Sequence, residues 1–208
     1  MLLSYTLNME TIAVHIKQEM RRLIIESRDA MSEDQRGAAS EAICKKLERQ
    51  FDGIAPGSIC ALYAPMGSEV DVRGFAEWLY AQGVRVAFPC MNAKGAFPRM
   101  HMREVSHEAW AGGAVPFIVK PIKRFAENEA ALAQFPVVDP TSIDAIVVPM
   151  VAFDSGFNRL GYGGGNYDEY LALVSRETKA VGVAFEAQRV PHVPTEPHDL
   201  PLPRIVSA

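Results

Sequence analysis

The sequence predicts an α/β fold, a single three-layer α/β/α domain with a largely parallel central sheet. Three observations carry this. Short apolar runs bounded by turn residues, at 58–64, 84–88, 143–148 and 180–185, have the length of buried strands. The segments around them repeat apolar residues every three or four positions, the spacing of helices packed on one face. Strands that alternate with helices favour parallel pairing, because a parallel connection must cross back over the sheet. The 208 residues suffice for one sizeable core. No repeat or low-complexity tract divides them, so one domain is expected over residues 10–208, with 1–9 as an N-terminal extension.

Residues 10–30 read as an amphipathic helix with Ile12, Ile16, Met20, Leu23 and Ile24 as its apolar stripe. Lys17 and Arg21 stand four apart at the edge of that stripe. Like charges at this spacing repel by about 0.2–0.5 kcal/mol. They are either two solvated charges or a pair that shares an anion. Ser32 and Gln35 form a capping box for the next helix. Ala39, Ile43 and Leu47 line that helix, which ends near Phe51 to Gly53. Residues 58–64 are a buried strand, 65–68 a loop, and Glu69 stands at its mouth. Asp71 is placed to cap a helix whose core face is Phe75, Trp78 and Leu79 and which Gly83 closes. The strand at 84–88 is expected to end at Pro89.

Residues 97–102 read as a further strand with weak alternation, since Arg99 and His101 share the face of Phe97. Residues 108–140 hold Pro116, Pro121, Pro136 and Pro140 and the basic cluster Lys120, Lys123 and Arg124. They read as a long excursion over the active face, of a length that is usually functional or mobile. The run 143–148 is the clearest buried strand. A helix is expected from Tyr167 to about Ser175. From Val190 on, five prolines rule out regular helix but let the tail wrap a cleft. That tail carries Glu196, His198 and Asp199.

Apolar residues make up 49% and charged residues 22%, with a net charge of −4, so no basic character points to nucleic acid. No apolar run approaches the ~18 residues of a membrane span, and the first ten residues lack a signal-peptide pattern. Cys44, Cys60 and Cys90 are widely spaced and offer no C-x-x-C pair, which suggests buried free thiols in a reducing cytoplasm.

The chemistry is expected at Arg159-Leu160-Gly161-Tyr162-Gly163-Gly164-Gly165-Asn166-Tyr167-Asp168. Bare backbone N–H groups in such a loop form an anion-binding concavity, and a helix start follows. Arg159 can add a fork for phosphate, and Asp168 can hold a hard cation such as Mg²⁺. Asn166 breaks the dinucleotide pattern G-x-G-x-x-G, and no Gly-Lys-Ser/Thr follows for a Walker A loop. The alternative is a flexible connection that binds nothing. The loop follows the 143–148 strand, and ligands in open α/β sheets sit beyond the carboxyl ends of strands.

The run Ala152-Phe153-Asp154 followed by Arg159 to Asp168 resembles the 5-formyltetrahydrofolate cyclo-ligases, also called methenyltetrahydrofolate synthetases. Three further features agree in order: Lys17-x-x-x-Arg21; Tyr63 to Glu69 continuing into Val70-Asp71; and Gly182 to Phe185 with Gln188, Pro194, Glu196, His198 and Asp199. The resemblance covers roughly residues 16–206. It implies a scaffold shared with sugar-phosphate isomerases and CoA transferases. It also implies an ATP- and Mg²⁺-dependent cyclisation of 5-formyltetrahydrofolate to 5,10-methenyltetrahydrofolate. Carried over by position, Lys17, Arg21 and Arg159 would hold ATP phosphates, with Lys17 and Arg159 catalytic. Leu160, Gly161, Tyr162, Gly163, Gly164, Gly165, Asn166 and Tyr167 would wrap the nucleotide. Ala64 and Glu69 would meet the folate, together with Tyr162, Gly165 and Asn166, Glu69 taking the pterin N–H groups. Asp168 and Asp199 would be the metal carboxylates. Tyr63 would line the folate pocket or pack in the core; Glu196 and His198 would anchor the tail; Cys60 and Cys90 would be core.

The sequence departs from the family at Asn166 (usually tyrosine), at Glu169 (often basic) and at Lys120-Pro121 (usually Glu-Pro). The basic cluster Lys120, Lys123 and Arg124 could attract a polyglutamylated folate tail. The expected protein is a cytoplasmic monomer or weak dimer with small-molecule partners only. Two other functions remain: a non-catalytic folate- or nucleotide-binding relative, and a sugar-phosphate isomerase or CoA-transferase-like enzyme. The last would need a catalytic carboxylate in a context the sequence does not offer.

Overall fold

A computed structural model describes residues 2–196, 199 and 201–208, with side chains from residue 14 onward. Its centre is a seven-stranded sheet. The path runs β3 (Met100–Val105), β2 (Arg85–Asn92), β1 (Ile59–Ala61), β5 (Ala145–Pro149), β8 (Lys179–Ala184) and β9 (Ile205–Ser207). β4 (Arg124–Phe125) pairs with β2 off this path. All pairs are parallel except β2 with β3. The α/β layering expected from the sequence is therefore present.

Period-two alternation explains the layers. In β5, Ala145 and Val147 point into one core, and Ile146 and Val148 into the other. In β2, Val86, Phe88 and Cys90 face the first core and Ala87 the second. Strands covered on both faces must be apolar throughout, which is why they read as continuous runs. The first core is roofed by α2 (Glu33–Gln50) and α3 (Arg73–Ala81), through Ile43, Leu47, Phe75 and Leu79, all 0% exposed. Each such side chain contributes about 1.5–3 kcal/mol. The capping box of Ser32 and Gln35 is formed in both directions. Asp71 sits one residue before the N-cap Val72, and its carboxylate accepts the Arg73 N–H at 2.9 Å.

Several boundaries differ from expectation. α1 spans Leu2–Asp29, eight residues longer at its start than predicted. Its buried line is not the predicted stripe. Ile16 and Leu23 are about half exposed, and the side chain of Ile12 lies outside those described, while Lys17 and Arg28 are buried. Met20 and Ile24 pack on Ala152, Leu160 and Val193. The helix rests these two side chains on the 152–160 ribbon, and Lys17 and Arg21 beside them line a cleft.

β2 continues through Pro89 to Asn92. Its neighbour β1 pairs only as far as Ala87, and β4 begins opposite Met91. Pro89 falls between them, where no flanking parallel strand calls for its missing donor. β3 starts three residues late, because the strand begins at the buried Met100 while Phe97 is 74% exposed at the hairpin.

The 108–140 excursion is packed rather than loose. It holds α4 (His107–Ala111), α5 (Pro116–Val119) and β4, and it buries Val115, Phe117, Phe125, Leu132, Phe135 and Val138. Elements this short show no detectable periodicity. α6 (Asn166–Leu171) stops four residues early. The proline-rich tail ends in β9, a strand the sequence did not announce. β9 lies beside Gly182, where an added Cβ would stand 2.2 Å from Met150 Cε and 2.7 Å from Leu202 Cδ1.

Candidate active site

A cleft of about 420 Å³ opens at the carboxyl ends of the parallel strands, within the usual size for ligand sites. Its walls come from α1, the 63–69 loop, the 121–124 segment and the glycine loop. β6 (Ala152–Phe153) and β7 (Arg159–Leu160) form the two-stranded ribbon that launches the glycine loop. Asp154, 3% exposed, sets the turn between them. Its Oδ1 accepts N–H bonds from Gly156 (2.9 Å) and Asn158 (3.1 Å), and its Oδ2 accepts from Val193 (2.9 Å). Burial opposes its ionisation, but these donors outweigh burial and hold its carboxyl below the usual range.

Arginines grip the loop from outside. Arg21 Nε donates to Gly161 O at 2.8 Å. Gly163 has φ 93°, and a Cβ there would stand 3.3 Å from the Arg21 guanidinium carbon. Arg99, from the β2–β3 hairpin, donates to Gly164 O at 2.5 Å, and its Nε is 3.2 Å from Glu169 Oε2. Gly165 has φ 68°, and a Cβ there would stand 3.3 Å from Arg99 Nη1. Both glycines thus combine a left-handed backbone with the close approach of a cation. Glu169 is the carboxylate that receives Arg99.

The predicted site residues gather here, and several already hold each other. Lys17, 6% exposed, binds Glu196 Oε2 at 2.6 Å and Asp199 Oδ2 at 2.8 Å. Burial works against its charge, yet the two carboxylates outweigh it and raise its pKa. Arg159, 9% exposed, donates to Asp168 Oδ1 at 2.5 Å. Glu196 anchors the tail as expected, by gripping Lys17. His198 lies outside the described residues.

Glu69 stands at the other end, 7% exposed. Its Oε2 accepts the Met66 N–H at 2.8 Å, and its Oε1 is buried without a hydrogen-bond partner. Burial pushes its carboxyl above the usual range, against the pull of the Met66 N–H, the Tyr162 hydroxyl and Arg28. The Tyr167 hydroxyl is also buried and unpartnered. Asn166 Nδ2 lies 3.9 Å from Met91 Sδ, and Ala64 lines the cleft floor. Tyr63 both lines the cleft and packs in the core, donating its hydroxyl to Val70 O at 2.6 Å. Arg124 lines the mouth and binds Asn92 O at 3.0 Å, while Lys123 pairs with Glu129 at 3.0 Å. Cys44, Cys60 and Cys90 are free and buried.

Sequence reasoning passed over Arg28, Ser68 and the supporting role of Asp154. Arg28 follows Arg21 by seven residues, two helical turns, and that spacing was the available signal.

Fold and cleft together define an α/β domain with a cleft beyond the carboxyl ends of its parallel strands. The chain belongs to the 5-formyltetrahydrofolate cyclo-ligase family, whose family model matches residues 13–208. The 5-formyltetrahydrofolate cyclo-ligase of Escherichia coli K12 is 26% identical over 191 residues, 89% of this chain and 96% of its own. That of Haemophilus influenzae is 29% identical over 143 residues, 68% of this chain and 71% of its own. The 5,10-methenyltetrahydrofolate synthetase of Aquifex aeolicus superposes with a TM-score of 0.66 at 25% identity, covering 92% of this chain and 89% of its own. That of Mycoplasma pneumoniae shares the fold, with a TM-score of 0.69 at 24% identity, covering 91% and 97%. Among the described residues no helix is long and apolar enough to cross a membrane.

Proposed function

We propose that the domain at residues 10–208 closes 5-formyltetrahydrofolate to 5,10-methenyltetrahydrofolate at the expense of ATP. One observation carries this: a single cleft has a buried, half-satisfied carboxylate, Glu69, at one end and a cation-gripped glycine loop at the other. The first suits the amino and ring N–H groups of a pterin, and the second suits a triphosphate.

The formyl oxygen attacks the γ-phosphorus of ATP. A new O–P bond forms as the bond to the β-phosphate oxygen breaks, and ADP leaves. The formyl carbon, now bearing a phosphate leaving group, is attacked by N10. The C–O bond breaks, and the departing phosphate takes up the N10 proton. No side-chain nucleophile is required, so the protein's work is positioning and charge neutralisation. Arg159 and Arg21 neutralise the phosphates from either side of the loop. The N–H groups from Gly161 to Tyr167 wrap the triphosphate. Lys17 joins them by sharing its charge between phosphate and the tail carboxylates. Glu69 orients the pterin, with Ala64, Tyr162, Gly165 and Asn166 around it.

Magnesium would compete with Arg159 for Asp168 and with Lys17 for Asp199. Among the described residues no three metal-ligating side chains are gathered, and Mg²⁺ commonly uses one or two carboxylates, with phosphates and water completing its shell. Asp168 and Asp199 would hold it, and it would neutralise charge on the phosphates. Arg124, which lines the cleft, would receive a polyglutamate tail with help from Lys120 of the same segment.

The test is the absorbance of the methenyl product. Product forms only with formylated folate, ATP and a divalent ion together, and Asp168→Asn cuts turnover while the protein stays folded. A folded wild-type protein that binds both ligands but yields no product would mark a non-catalytic relative.

A further inference from the structure

α1 carries a third inward cation with no role in the chemistry proposed for this cleft. Arg28 is 3% exposed. Its Nε donates to Ser68 Oγ at 2.8 Å and its Nη2 donates to the Tyr162 hydroxyl at 2.8 Å. Ser68 donates in turn to Asp29. Holding a guanidinium out of water against hydroxyls, when a carboxylate would match it better, is costly. What the rigid fork gains is geometry, since its donors are fixed relative to one another.

The two hydroxyls belong to different loops. Ser68 immediately precedes Glu69, whose Oε1 is buried in the cleft without a hydrogen-bond partner. Tyr162 lies inside the glycine loop, and its hydroxyl faces Glu69 and helps draw that carboxyl's pKa down. One buried guanidinium therefore spans the gap between the carboxylate loop and the phosphate loop. Lys17, Arg21 and Arg28 share one face of α1, so the helix lays a row of cations across both halves of the cleft.

We propose that Arg28 is a positioning residue that couples the two ligand subsites. A nucleotide that orders the glycine loop fixes Tyr162. Through Arg28 it fixes Ser68, and with Ser68 the Glu69 carboxylate that meets the pterin. Linkage makes the effect reciprocal, so each ligand tightens the other by the same factor. This rests on the nucleotide and folate assignment proposed for the cleft.

The experiment measures the Kd of 5-formyltetrahydrofolate by calorimetry, with and without a non-hydrolysable ATP analogue and Mg²⁺. It uses the wild type, Arg28→Lys and Ser68→Ala. In the wild type the analogue tightens folate binding by a factor on the order of ten. In both variants the factor falls below about two, although each ligand still binds alone and the unliganded Tm moves by only a few degrees. A purely structural role would lower Tm and leave the factor intact. Coupling in the variants equal to that of the wild type, or no coupling in the wild type, overturns the inference while the functional assignment stands. If Arg28→Lys does not fold, Ser68→Ala decides alone. Failure of the wild type to bind either ligand overturns the functional assignment and the inference with it.

Discussion

Replacing Glu69 with glutamine should make the unliganded protein more stable and the folate complex weaker. Glu69 is 7% exposed, and only one of its oxygens has a hydrogen-bond partner. Its carboxyl pKa is raised by burial above the ordinary 4.5, despite the Met66 N–H, the Tyr162 hydroxyl and Arg28. The folded protein therefore binds this proton more tightly than the unfolded chain does. Stability from this group is greatest below the unfolded pKa and falls as pH rises through the folded value. At neutral pH the charge is a net cost. An unsatisfied buried polar group costs about 1–3 kcal/mol, and more when charged. Glutamine removes the charge but weakens the bond from Met66, leaving a net gain of about 1 kcal/mol. For a chain of this length that is a rise of roughly 2–4 °C in Tm. Thermal unfolding of both proteins at pH 7, with and without 5-formyltetrahydrofolate, reads both effects. The variant should melt higher alone and be shifted less by folate. A variant that melts lower alone, or that folate protects as strongly as the wild type, would refute the assignment of Glu69.

Asp154→Ala should lower stability by about 3–5 kcal/mol, since three backbone N–H groups lose a charged acceptor. Chemical denaturation checks this. Because that carboxyl's pKa is depressed, its contribution is present above the unfolded pKa and lost as pH falls through the folded one. Gly182→Ala should cost about 1–3 kcal/mol through overpacking against Met150 and Leu202, read as a lower Tm. Lys17→Met should cost about 1–3 kcal/mol, the lower end being favoured because Glu196 is 39% exposed. It should expose the tail near Glu196 to limited proteolysis and raise the KM for ATP more than that for folate. Unchanged tail protection together with unchanged ATP kinetics would contradict the Lys17 assignment.

The layers and the cleft were legible because both rest on local patterns. Strands buried on both faces must be apolar, as 145–148 is, and the glycine loop drew notice by its position after that strand, between a basic residue and a carboxylate. What escaped depends on distant partners. β9 is invisible among prolines, because its strand character comes from pairing with β8. The 115–138 segment reads as irregular, because its pieces are too short to repeat although their phenylalanines are buried. The α1 stripe holds at Met20 and Ile24 but not at Ile16 and Leu23, which are half exposed, while Lys17 and Arg28 turn inward to partners remote in sequence. Likewise, no local signal could foretell that Lys17 would meet carboxylates 179 and 182 residues away.

The most direct measurement follows one oxygen atom. With ¹⁸O placed in the formyl group of 5-formyltetrahydrofolate, transfer of the γ-phosphoryl to that oxygen requires the label to leave in inorganic phosphate, one atom for each methenyl product formed. Phosphate that emerges unlabelled while product accumulates would contradict the central claim.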